Sequence, residues 1–339
     1  MILSSHNEWG RLRSVVVGRA DNARVPVDDV SLRAINYAGG TARVPTPGPY
    51  PRQVIDEANE DLEILCEVFV DAGVTVHRPD VPNTEVHHGA AGWRSDGYYA
   101  YCPRDGLLVV GDTVIETPMV LRARYTDAFP YRHILLEAMQ DGARWIAAPK
   151  PQLSDDSYDE DADQEHKSLR NHEPVFDAAN VLRANDDLLF LESNSGNAMG
   201  AEWLRHALGP RYRMHLLRGI YSYMHLDSTI SLLRPGLALL NPRRLNVNNL
   251  PSFFAGWRIL WCPDPIDVGF HPPYEHASQW VGMNLLMLDE QTAIVEQRQL
   301  PLIRMLEAEG IAVVPVPVRH ARTLGGAVHC VTLDLQRDA

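Results

Sequence analysis

The chain has 339 residues, 45% hydrophobic and 22% charged, an ordinary globular composition with a net charge of −13 that disfavours nucleic acid as a partner. No apolar run approaches the roughly eighteen residues of a transmembrane helix, so no membrane role is expected, and the first thirty residues predict no secretory signal. Cys66, Cys102, Cys262 and Cys330 lie far apart without a CxxC pair, which argues against structural zinc and a disulfide framework and predicts a reducing cytoplasm.

In chain order, residues 14–17 read as a strand and 44–51 as a proline-rich surface loop. A helix with Ile55, Leu62, Leu65 and Phe69 on one face stops at Gly73, before an apolar strand. Strands over 107–110 and 114–116 then flank a Gly-Asp turn, and a helix with Tyr131, Ile134, Leu135 and Ala138 on one face stops at Gly142 before the next strand. Residues 154–167 form an acidic loop. The same order recurs with a hairpin over 181–191 and a stop at Gly209, and with a hairpin over 230–240 and a stop at Gly256. It recurs again with a hairpin over 285–295, Pro301 in a helical first turn, and a stop at Gly310.

A fifth hairpin follows if 331–335 pairs with 14–17. The fold class is therefore α/β, with a strand–strand–helix–strand unit repeated five times. Unequal spacing argues against a solenoid and for a closed five-bladed ring joined through its termini, in one domain over 1–339. An open α/β sheet is the plainer alternative.

Chemistry-bearing residues stand just before the first strand of each unit: Asp105, Asp177, His225 with Asp227, Ser278, and Cys330. Each has an ordinary account alone: a buried cysteine packs as a small hydrophobe, and an aspartate before a strand forms a turn. At equivalent positions of a ring they would share one pocket. His329 adjoins Cys330, but strand neighbours point to opposite faces, so His225 is the candidate base. His87-His88 lacks a third ligand, and there is no Walker loop and no GxGxxG after a strand, so neither metal nor nucleotide cofactor is expected. Carboxylates grip a guanidinium through paired charge-assisted bonds, a thiolate attacks its carbon, and a histidine moves the protons. Water as the next nucleophile gives a hydrolase and an amine gives a transferase; spacing leaves both open, and a non-catalytic arginine-binding protein is a third reading.

The motifs Asn7-Glu8-Trp9, Cys102-Pro103-Arg104-Asp105, Phe176-Asp177-Ala178-Ala179-Asn180, Met224-His225-Leu226-Asp227, Met283-Asn284-Leu285 and Gly325-Gly326-Ala327-Val328-His329-Cys330 run in order over nearly the whole chain. In these the chain resembles the arginine amidinotransferases, nearer the bacterial aminocyclitol branch than the glycine enzymes. The resemblance implies a pentein-like five-bladed propeller of ββαβ units and a ping-pong transfer from L-arginine to an amine acceptor, with ornithine released. It implies Cys330 as nucleophile, His225 as acid and base, and Asp177 as the carboxylate behind His225. Asp105 and Asp227 would clamp the guanidinium, Arg244 and Ser278 hold the amino-acid end, and Met224 border the acceptor. Residues 219–224 depart from the Asn-Pro-Met-like stretch of a glycine-specific enzyme, and Ala327 stands where a third glycine is usual. A phosphorylated acceptor calls for a cationic cluster that the sequence does not display. A monomer or homodimer is expected.

Overall fold

The computed structural model describes residues 1–37, 44–162, 167–221 and 223–338. Five three-stranded sheets repeat one topology, an antiparallel hairpin whose second strand pairs in parallel with a third. Leu107–Val110, Thr113–Glu116 and Arg144–Ala147 form the first in chain order. Val181–Ala184, Asp187–Leu191 and Arg213–Leu217 form the next. Ile230–Arg234, Leu237–Leu240 and Arg258–Trp261 follow, then Leu286–Asp289, Thr292–Glu296 and Ala312–Val316. The fifth sheet joins the two ends of the chain: Thr332–Arg337 runs antiparallel to Leu12–Val17, which runs parallel to Thr75–His77. Among the described residues no sheet closes on itself.

The hairpin strands are almost wholly buried and the third strands only partly so, because each third strand is an edge, packed in four of the five sheets against the preceding helix. That explains why the hairpins read as continuous apolar runs rather than alternating ones. The expected stops at Gly73, Gly142, Gly209, Gly256 and Gly310 all have positive φ, between 75° and 99°. Four of them end or follow helices, Arg52–Asp71, Arg132–Gln140, Ala198–Leu208 and Leu300–Ala308.

The helix expected before Gly256 is reduced to the single 3₁₀ turn Ser252–Phe254. Asparagines take its place: Asn249 Oδ1 accepts from Asn246 N at 2.7 Å and Asn246 Oδ1 from Asn248 N at 2.8 Å, between Pro242 and Pro251. Such side-chain bonds compete with helical ones, and each proline removes a donor. Residues 44–51 are not a simple loop either, since Gly48–Pro49 pairs with Arg24–Val25 and Tyr50 is buried. Within the acidic segment, Asp155 meets Arg122 at 2.6 Å and Glu160 meets Arg33 at 2.6 Å; residues 163–166 of that segment lie outside the described residues.

Beneath the terminal sheet lies a buried ionic cluster. Asp334, 0% exposed, accepts from Arg183 at 2.6 Å, from Arg337 at 2.7 Å and from Arg104, while Glu8 takes Arg183 in a two-pronged pair at 2.9 Å. Three buried guanidinium groups are tolerable because these two carboxylates and backbone carbonyls neutralise them and accept most of their N–H groups, Arg337 Nη2 alone among the three being left without a partner among the described residues. All four cysteines are free thiols, and no described helix is long and apolar enough to cross a membrane.

Candidate active site

The segment entering the first strand of each sheet carries the residues singled out from sequence. Asp105 lies in the helical turn Pro103–Gly106, and Asp177 heads the turn Ala178–Asn180. Ser278 caps the turn Gln279–Met283, its Oγ accepting from Trp280 N at 3.3 Å. Cys330 lies in the turn before Thr332–Arg337. Seven of the eight expected residues, Asp105, Met224, His225, Asp227, Arg244, Ser278 and Cys330, line one cavity of about 500 Å³. Asp177 is the exception: it stands behind His225, wholly buried.

His225 is fixed from that side. Its Nε2 meets Asp177 Oδ2 at 3.0 Å, and Asp177 Oδ1 accepts from the Val120 N–H at 3.1 Å. Its Nδ1 points toward Asp105 Oδ1, 3.7 Å away. Burial pulls the imidazole down, but the Asp105, Asp177 and Asp227 carboxylates outweigh it and raise it to about 9. At neutral pH the ring is an imidazolium, ready to give up a proton.

Asp105 Oδ2 accepts from Arg124 Nη1 at 2.6 Å, while its Oδ1 is buried without a hydrogen-bond partner. An unsatisfied carboxylate oxygen beside a cavity is costly unless a ligand donates to it. Asp227 Oδ2 accepts from the Cys330 thiol at 3.2 Å and from His329 Nδ1 at 3.1 Å. Burial would push this carboxyl up, but His329, His225 and the thiol bond hold it below the usual carboxylate range. Burial, then Asp227, Cys102 and Asp105, push the Cys330 thiol well above its ordinary value. Cys330 therefore rests as a neutral thiol, and a cation arriving beside it would favour the thiolate.

Arg244 carries a half-buried charge with no carboxylate partner among the described residues. Its Nη1 donates to Ser228 O at 3.0 Å and Thr229 Oγ1 at 2.6 Å, and its guanidinium lies 3.4 Å from the Tyr221 ring centroid. Burial lowers its proton affinity, as expected for an uncompensated cation.

Two partners went unassigned in the sequence. Asn284 Nδ2 donates to Cys330 Sγ at 3.3 Å; it stands in a quoted motif, but nothing local ties it to residue 330. Arg124, which grips Asp105, has no sequence signal. The expectation for His329 needs correction as well: residues 329 and 330 precede the strand, so alternation does not govern them, and both contact Asp227 Oδ2.

No family model matches the chain. It is 48% identical over 339 residues to inosamine-phosphate amidinotransferase 1 of Streptomyces glaucescens, covering 99% of this chain and 97% of that protein. It is 37% identical to the mitochondrial glycine amidinotransferase of Danio rerio, over 98% of this chain and 82% of that one. The solved inosamine-phosphate amidinotransferase of Streptomyces griseus matches with a TM-score of 0.97 and 47% identity, covering 99% and 97% of the two chains. Identity at this level over the whole length, on a cavity that gathers a thiol, an imidazolium and paired carboxylates, carries the conclusion: the chain belongs to the amidinotransferase family, in the bacterial branch that the two Streptomyces proteins represent, and is a transferase of amidino groups.

Proposed function

We propose that the donor is L-arginine, that its amidino group rests on Cys330, and that a small amine then takes it in a biosynthetic pathway of the antibiotic type. The observation that carries this is Asp105 Oδ1, a buried carboxylate oxygen without a partner, across one cavity from Asp227 and beside His225. A guanidinium placed there donates to both carboxylates and brings its positive charge to the Cys330 thiol. As the guanidinium docks, the thiol releases its proton to bulk water; the thiolate attacks the guanidinium carbon, His225 protonates the departing δ-nitrogen, and ornithine leaves. The acceptor amine then attacks the amidino-thioether, gives its proton to His225 and expels the thiolate. Asp177 holds His225 through Nε2, Arg244 and Ser278 take the amino-acid end of arginine, and Met224 borders the acceptor.

The five hairpin-plus-strand sheets, joined through the terminal pairing, support a pentein-like five-bladed propeller in a single catalytic domain. We place the enzyme in the cytoplasm as a monomer or homodimer.

For the acceptor we propose a small amine of the kind the bacterial relatives are named for, an inosamine phosphate. An amino acid or linear amine is the second reading. It is favoured because Arg124 and Arg244 are the guanidinium groups among the described cavity residues, and Arg124 is already held by Asp105 and Asp127 at 2.6 Å each.

Incubation with arginine and no acceptor should release one equivalent of ornithine per active site and leave an amidino group on Cys330. Catalytic citrulline without any amine would instead make the enzyme a hydrolase. Adding inosamine phosphate, glycine and lysine in separate reactions then reads the acceptor from renewed ornithine release.

A further inference from the structure

We infer that His329, held by Glu8, is a positioning residue that sets Asp227 beneath the nucleophile. The cavity shows only one face of Asp227. On the other face lies His329, itself buried, with Nδ1 3.1 Å from Asp227 Oδ2 and Nε2 3.4 Å from Glu8 Oε2. A carboxylate oxygen thus stands at each ring nitrogen, and the one from Asp227 also accepts the Cys330 S–H at 3.2 Å.

The Glu8 end of this arrangement is immobile. Glu8 Oε1 accepts from the Arg183 backbone N–H at 3.0 Å and from its Nε at 2.9 Å, and Arg183 is held in turn by Asp334. The main chain of His329 is pinned too: its carbonyl accepts from Arg104 Nε at 2.9 Å and its N–H donates to Asn284 Oδ1 at 2.9 Å. The charged and titratable groups packed around the ring are thus Asp227, Glu8, Arg104 and Cys330, with Arg183 and Asp334 one contact further. The Asn7-Glu8-Trp9 motif, which contributes nothing to the cavity, gains a role: it delivers from the N-terminus the carboxylate that aligns His329.

Part of the consequence, that Asp227 grips the guanidinium, rests on the arginine reading. The test therefore includes an arm that needs no substrate, the pH dependence of Cys330 alkylation by iodoacetamide. H329Q loses the Nδ1 partner of Asp227 Oδ2, so more of the carboxylate's charge faces the thiol, the thiolate becomes harder to form and the alkylation profile of H329Q moves to higher pH. Asn places its amide near Nδ1 of histidine and Gln places its amide near Nε2. H329N therefore keeps the bond to Asp227 that H329Q loses.

The expected order in kcat/KM for arginine is wild type, H329N, E8Q, H329Q. H329Q should fall roughly 10- to 100-fold, mainly through KM, as losses of orienting partners do. The inference is overturned if H329Q alkylates with the wild-type pH profile, if H329N and H329Q lose activity equally, or if activity falls only in step with the fraction of folded protein. A shifted alkylation profile without an arginine effect would uphold the positioning of Asp227 and count against the arginine reading alone.

Discussion

Asn284 holds Cys330 at both ends. Its Nδ2 donates to the sulfur at 3.3 Å, and its Oδ1 accepts from the Cys330 N–H at 3.2 Å, alongside the His329 N–H at 2.9 Å. One amide side chain from the segment entering the fourth hairpin thus fixes both the turn and the thiol of the fifth.

Two substitutions separate those tasks. N284A strands two buried backbone donors and should cost about 1–3 kcal/mol in denaturant unfolding, with the ornithine burst lost as well. N284D keeps an oxygen for the two N–H groups but removes the donor to sulfur and sets another carboxyl beside Asp227. It should unfold near the wild-type midpoint and lose the burst roughly 10- to 100-fold. A wild-type burst in N284D would mean that the amide supports only the backbone.

His225 gives a pH dependence whose sign is fixed. Its folded value is raised from 6.5 to about 9, so the stability it contributes is fully present below pH 6.5 and lost as pH rises through about 9. Acid–base transfer follows the same window: ornithine release in the first half-reaction needs the imidazolium and should decline above about pH 9. In D177N one of the raising carboxylates is gone, and the alkaline limb should move toward neutral pH. Single-turnover ornithine release across pH measures this, and an unmoved limb in D177N would remove His225 from the acid role.

The parts legible in the sequence are those set by neighbours in the chain. Glycine stops, short turns and apolar hairpin strands need only local chemistry, so four hairpins could be drawn from it; the terminal pairing, expected between 14–17 and 331–335 and found with Thr332 to Gln336 opposite Val17 to Ser14, followed from completing the repeat. The candidate site was legible because its members recur at one place in the repeat. What escaped depends on contacts across the chain. Arg124 reaches Asp105 from a turn 19 residues on, Asn284 meets Cys330 over 46, and Glu8 meets His329 over 321. The missing fourth helix failed for the opposite reason: local asparagine bonds overrode an apolar pattern that looked helical.

Arg244 predicts a split between arginine and its decarboxylated analogue. A half-buried guanidinium stacked on Tyr221 and, among the described residues, bonded to Ser228 and Thr229 would suit an incoming carboxylate. R244M should raise KM for arginine roughly 10- to 100-fold while changing turnover of the decarboxylated analogue by less than about threefold. Folding stability should hold or rise, since a half-buried charge without a carboxylate partner among the described residues is replaced by an apolar chain of similar length. Equal losses on both substrates would put Arg244 elsewhere in the reaction.

The glycine pair before Cys330 works through space as much as through conformation. Gly325 has φ of 82° and ends a short helical turn, but Gly326 has no positive φ; a Cβ there would sit 2.6 Å from Cys102 Sγ and 2.8 Å from Cys330 Cβ. Ala327, where the family usually has a third glycine, is buried without such a restriction. G326A should therefore cost about 1–3 kcal/mol through overpacking and abolish the ornithine burst. Adding C102A removes the contact with the second sulfur, so the double variant should regain most of the unfolding free energy. It should not regain the burst, because the clash with the Cys330 Cβ remains and displaces the thiol from Asp227 and Asn284. A double variant with the wild-type burst would show that the nucleophile tolerates movement, and the tight bonding around Cys330 would then have no bearing on the rate.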